Sequence, residues 1–153
     1  MKRKTAIIIL SVLVLLTVVF IFSNSMKNQE ESRQDSDFFV QILEPIFEKI
    51  FGRRIANLGL IVRKLAHLVE FCLLGLGIAG LICKLGENNR KILYRYGLFG
   101  VLSVAVIDEF IQSFSGRGSA VGDVLIDFCG ALIGFGVVFL TLILFKNKKQ
   151  INK

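Results

Sequence analysis

Residues 108–127 read DEFIQSFSGRGSAVGDVLID and crowd Asp108, Glu109, Gln112, Arg117, Asp123 and Asp127 around a short Gly/Ser turn. Four carboxylates and an arginine at this spacing would be ordinary in a soluble loop. Here the flanks are LFGVLSVAVI and CGALIGFGVVFLTLILF, which belong in lipid. An ionisable group inside a membrane segment costs about 2.5–3.5 kcal/mol on insertion scales, so its first reading is functional. His67 and Glu70 stand at the start of another apolar run, LAHLVEFCLLGLGIAGLIC.

These residue types allow a definite chemistry. Arg117, in a glycine-flanked turn, suits a bidentate grip on phosphate. His67 is the chain's single histidine. It could act as general acid or base, oriented by Glu70 or Asp108. A hard divalent cation could bridge Asp and Glu oxygens and neutralise the cluster. The sequence does not name a metal, because a lone HxxE is a weak signature and no strong ligand spacing occurs. The substrate class that reaches such a layer is an amphiphile: a phospholipid or a polyprenyl-phosphate-linked cell-wall precursor. Two other readings stay open. One is a structural network in which Arg117 and His67 each pair an acid and Gln112 bridges them. The other is head-group binding without turnover. The count weighs against a purely structural device, since Glu70, Asp108, Glu109, Asp123 and Asp127 exceed the cations Lys64, His67 and Arg117 by two. Transport is disfavoured, because the polar layer does not continue across the spans and no broken helices or inverted repeats are visible.

The elements that position these groups follow from composition and periodicity. A chain of 153 residues that is 54% hydrophobic, with one proline, is too apolar for an ordinary soluble domain. Its mean hydropathy is +0.66. The net charge of +7 is matched by Lys2, Arg3, Lys4, Lys146, Lys148, Lys149 and Lys153, all in membrane-flanking tails, which argues against nucleic acid as a partner. Cys72, Cys83 and Cys129 fall in apolar segments without CxxC spacing, as expected of core- or lipid-facing residues rather than disulfides or a zinc site. The expected fold is a single all-α polytopic membrane domain with four transmembrane helices, at about 5–22, 65–83, 94–115 and 121–145. The first span follows a KRK tail and lacks a small-x-small cleavage pattern, so it reads as a retained anchor.

Between the first two spans, residues 23–62 form a longer polar segment. Its first part, to Asp35, reads as a solvated loop. From Ser36, an expected cap, Phe39, Ile42, Leu43, Ile46 and Ile50 recur at helical spacing. Pro45 should kink or restart that helix. It could pack on the protein's own surface or lie in the membrane interface. Tyr94 and Tyr96 read as interface anchors. Lys and Arg number eleven in the two tails and the 84–95 connection against eight elsewhere, which predicts both termini in the cytoplasm. His67 then lies ~6 Å past Arg63, Asp108 ~10 Å before Ser115 and Asp127 ~9 Å past Val121, all in one layer near the outer face. Asp123, Asp127, Gly130 and Gly134 fall within about 60° of one helix face, so the acids share a GxxxG face that points into the bundle.

The segments RKLAHLVEFCLLG (63–75), DEFIQSFSGRGSAVGDVLID (108–127) and GALIG (130–134) resemble the VanZ-like family of small polytopic membrane proteins. IFSNS, followed by Ser32 and Ser36, is similar to that family's first outer loop. The resemblance implies a cell-envelope membrane protein of the bacterial cytoplasmic membrane. It points to Lys64, His67, Glu70, Asp108, Glu109, Gln112, Arg117, Asp123 and Asp127 as site residues. Lys64, Gln112 and Arg117 would bind substrate, and the others would serve catalysis. It also implies a link to low-level resistance to the glycopeptide teicoplanin, and to lipid head-group chemistry as a hydrolase or transferase. Two positions depart from the pattern: Ser115 stands where many relatives carry proline, and Phe71 where tyrosine is common. The second removes a hydroxyl.

Overall fold

The computed structural model describes residues 2–52, 56–86, 89–118 and 120–151. Arg53, Arg54 and Lys153 of the charge count, Glu87 and Asn88 of the 84–95 connection, and Ser119 of the 108–127 segment lie outside the described residues. Five helices follow in order: α1 (Arg3–Ser25), α2 (Gln29–Phe51), α3 (Leu58–Leu85), α4 (Arg90–Phe114) and α5 (Val121–Ile151). Helices α1, α3, α4 and the Val121–Lys146 part of α5 are long and apolar enough to cross a membrane. The fold is all-α and polytopic, as the apolar runs predict. Each helix outlasts its apolar window, because lipid selects for apolarity whereas the backbone continues until something stops it. Helix α3, with 28 residues, is ~42 Å long against a hydrocarbon core of ~30 Å. Its first turns, with Arg63 and Lys64, therefore extend to the interface.

Contacts at the helix ends set the directions. Arg3 donates to the carbonyls of Lys84 (2.8 Å) and Leu85 (2.7 Å), capping α3 and placing α1 antiparallel to it. Helices α3 and α5 run parallel and are the closest pair. Lys64 meets Asp123 at their starts, Gly130 lies on the Leu68 backbone and Gly134 on that of Cys72. Gly75 in turn lies against Ala131. The acid-and-glycine face of α5 does point inward, and its partner is α3. Beneath this contact Ile21, Phe71, Leu74, Ala79, Val101, Ala105 and Ala131 form the buried core. Phe71 is wholly inaccessible, so its ring replaces a tyrosine's hydroxyl with packing rather than opening a gap.

The first loop differs from expectation. Residues 29–35 are helical, because α2 starts at Asn28, whose side chain accepts from the Glu31 N–H while Glu31 accepts from the Asn28 N–H. Ser36 is mid-helix rather than a cap, bonding back to the Arg33 carbonyl at 2.8 Å. Pro45 lies inside the helix and does not restart it. The helix ends at Gly52, whose φ of 66° suits glycine. It packs on α3 through its small residues: Ser32 and Ser36 are buried, with Gly59 beside Ser36. Most of the predicted apolar stripe (Phe39, Ile42, Ile46 and Ile50) is exposed, together with Phe38. Tyr96 is exposed as an anchor should be, whereas Tyr94 turns inward, edge-on to Phe135 at 5.9 Å. Cys72, Cys83 and Cys129 are all free.

Candidate functional site: a polar chamber at one end of the bundle

The end of α1, the start of α3, the end of α4 and the start of α5 converge on one polar chamber. Helix α4 carries Asp108 and Gln112 one turn apart, and both are buried. Gln112 Nε2 donates to Asp108 Oδ2 at 2.7 Å, and the Ser25 hydroxyl of α1 donates to Asp108 Oδ1. Helix α3 brings His67, whose Nδ1 lies 3.6 Å from Asp108 Oδ2 and 3.7 Å from Asp127 Oδ1 of α5. Asp127 is 1% exposed, and no donor among the described residues reaches its Oδ2. Nδ1 of His67 also makes no hydrogen bond.

A cavity of about 340 Å³ opens beside this group, lined by Arg63, Lys64, His67, Gln112, Arg117, Asp123 and Asp127, with Gln29 of α2 at its edge. That is within the range of small-ligand sites. Lys64 pairs with Asp123 across the α3–α5 contact. Arg117 stands in the turn after α4, where Gly116 adopts a φ of 71° that lets the chain reverse. Among the described residues its guanidinium makes one long bond, 3.4 Å to the Asn24 carbonyl. Burial and the neighbouring charge of Arg63 pull Arg117 below its ordinary pKa range, against the opposing pull of Asp108, Glu109 and Glu70. The turn is tied down by Ser115, whose hydroxyl donates to the Ser25 carbonyl at 2.9 Å and whose N–H donates to Gln112 and Ile111. A proline there would lack both donors.

Two of the nine sequence-derived residues are directed elsewhere. Glu109 accepts the Ala120 N–H at 2.6 Å and so holds the start of α5. Glu70 accepts from Asn24 Nδ2 at 2.8 Å, pinning α1 to α3. Neither lines the cavity. The other seven, Lys64, His67, Asp108, Gln112, Arg117, Asp123 and Asp127, come together in or against it. Three contributors were not singled out from sequence. Asn24 and Ser25 carry no charge and end an apolar helix, so only the IFSNS resemblance marked them. Arg63 looked like a boundary charge, although its place four residues before His67 puts both on one helix face.

A family model described as VanZ/LLP1 matches residues 7–145, nearly the whole chain and every residue of this chamber. The chain belongs to the VanZ/LLP1 family. Comparison with curated proteins found no match, and comparison with solved structures found none. The VanZ/LLP1 match runs from α1 through α5, so the loop helix α2 and the Asn24–Ser25 corner lie within the shared domain.

Proposed function

We propose that this VanZ/LLP1 protein takes the phosphate of a membrane-lipid or polyprenyl-phosphate-linked head group into the chamber, at the outer face of the bacterial cytoplasmic membrane. Both termini then lie in the cytoplasm, in line with the Lys/Arg asymmetry. The observation that carries the reading is the convergence of Arg63, Lys64 and Arg117 on one cavity. Arg63 is close enough to disfavour the charge of Arg117, an arrangement that an anion between them relieves. Helix α2 supports an amphiphilic ligand: its exposed Phe38, Phe39, Ile42, Ile46 and Ile50 can enter the bilayer interface, so a head group reaches the cavity without leaving the membrane. His67, Asp108 and Asp127 then face the bound phosphate, where hydrolysis or transfer would occur. Altered head groups are also a route to changed teicoplanin susceptibility.

A structural role is favoured for Glu70 and Glu109, since each is committed to a tie between elements. The test is head-group binding by protein in nanodiscs, titrated with phosphatidic acid, phosphatidylglycerol or polyprenyl phosphate against neutral lipid. Arg117→Lys keeps the charge and loses the planar fork. With charged hydrogen bonds worth ~1.5–3 kcal/mol, it should weaken binding roughly 10–100-fold. Wild-type affinity in both Arg117→Lys and Arg63→Ala overturns the reading.

A further inference from the structure

The three atoms at the floor of the chamber are spaced for something between them. His67, Asp108 and Asp127 come from three different helices and each offers one ligand atom within 4.8 Å of the others. The 3.6 and 3.7 Å separations from Nδ1 are too long for hydrogen bonds. An imidazolium drawn onto a carboxylate would close to ~2.7–2.9 Å. Ligands about 2.1 Å from a common cation stand ~3.4 Å apart in a tetrahedron, close to the separations seen.

Burial supports the same conclusion. Asp127 is almost wholly inaccessible and receives no hydrogen bond from the described residues, and His67 Nδ1 is buried and unbonded. Buried polar atoms without partners are rare, because nothing replaces the water they give up. Asp108, by contrast, is fixed by Ser25 and Gln112, the kind of outer support that orients metal-ligating carboxylates. Charge agrees as well. With His67 neutral, the two carboxylates Asp108 and Asp127 that face it suit a dication, while Asp123 is paired with Lys64.

We propose that His67 Nδ1, Asp108 Oδ2 and Asp127 Oδ1 bind one divalent cation of the zinc or manganese class, with its remaining positions open to the cavity. The mixed nitrogen and oxygen set selects the class: imidazole suits transition metals, whereas magnesium and calcium take oxygen ligands. The cation site rests on these three residues alone. Its service to the proposed reaction rests on the head-group reading, in which a phosphate oxygen occupies an open position while Arg117 and Arg63 hold the rest of the anion. His67 then holds the cation through Nδ1 rather than carrying a proton there.

The experiment uses the full chain in nanodiscs of neutral lipid, stripped with chelator and titrated with Zn²⁺ by calorimetry and with Mn²⁺ by electron paramagnetic resonance. One site per chain is expected, not displaced by equimolar Mg²⁺ or Ca²⁺. His67→Ala and Asp127→Asn should each weaken it at least ~100-fold, and Gln112→Ala ~10–100-fold. Asp35→Asn, at an exposed α2 position that pairs with Lys27 and does not line the cavity, should leave it unchanged. If Asp127→Asn fails to fold, His67→Ala decides alone, with its fold checked by size exclusion. Wild-type affinity in folded His67→Ala, or no saturable site in the wild type, overturns the proposal. Arg117→Lys should leave cation affinity intact. A normal cation site in a protein that binds no anionic head group would therefore sink only the head-group reading.

Discussion

The backbone approach of α5 to α3 is also what sets the chamber's width, and it can be tested by adding one carbon. A Cβ on Gly134 would contact the Cys72 carbonyl, and would sit 2.7 Å from Leu76 N and 3.0 Å from the Gly75 carbonyl carbon, where ordinary contact begins at 3.4 Å. All three are backbone atoms of α3, so no rotamer change relieves the clash and the helices must separate. One turn earlier, Gly130 faces the Leu68 backbone in the same way. Overpacking of this kind typically costs ~1–3 kcal/mol. Because α3 carries His67 and α5 carries Asp127, the separation also widens the 3.7 Å gap between them. Gly136 is the internal control: it lies on the same helix with nothing within 4 Å of an added Cβ. Alanine there should be neutral or stabilising by up to ~1 kcal/mol, the usual helix preference over glycine. Thermal unfolding in nanodiscs reads the stability, and Zn²⁺ or head-group titration reads the site. If Gly134→Ala and Gly130→Ala match Gly136→Ala in both measurements, α3 and α5 are not in backbone contact and the chamber is not set by their spacing.

Ser25→Ala removes one of two donors to the buried Asp108 and should cost ~1–3 kcal/mol while weakening whatever the chamber binds; unchanged stability and binding would remove α1 from the site. For topology, single cysteines are placed at Gln29 and Lys4 in a chain freed of its own three. An impermeant thiol reagent on intact cells should label position 29 and spare position 4. The reverse pattern would move the chamber to the cytoplasmic face.

Much of this was legible in sequence because lipid enforces a simple code. Four apolar runs gave the four spans, and charged residues inside such runs have few places to go, so depth alone placed His67, Asp108 and Asp127 in one layer. The GxxxG face of α5 was readable for the same reason, although its partner Gly75 was not, since it is one of three glycines in LLGLGIAGL and none forms a GxxxG pair. The start of α2 was missed because charge drew attention away from the Asn28–Glu31 capping box. Its packing face stayed open in the sequence, because the large apolar residues suit either the protein's surface or the membrane interface. The structure decides it by size: small residues let helices approach, and large apolar ones can face lipid.

What sequence could not supply was the difference between carboxylates of the same type. Charge counting treats Asp108 and Asp127 alike, yet Asp108 is met by Ser25 and Gln112, whereas no donor among the described residues reaches Oδ2 of Asp127. Glu70 and Glu109 are each tied at one oxygen, to Asn24 and to the Ala120 N–H. A purely structural network accounts for Asp108 and for the Lys64–Asp123 pair, and ties Glu70 and Glu109 at one oxygen each, leaving Oε2 of both without a donor among the described residues. It does not account for Asp127 and His67 Nδ1, which are buried, face each other across a gap and satisfy nothing. A folding device would have closed that gap or replaced the aspartate with an apolar residue, since removing both members of a buried polar pair can be nearly neutral. The gap between His67 and Asp127, on three sides of which Ser25, Gln112 and the Lys64–Asp123 pair hold their neighbours, is therefore where a ligand belongs.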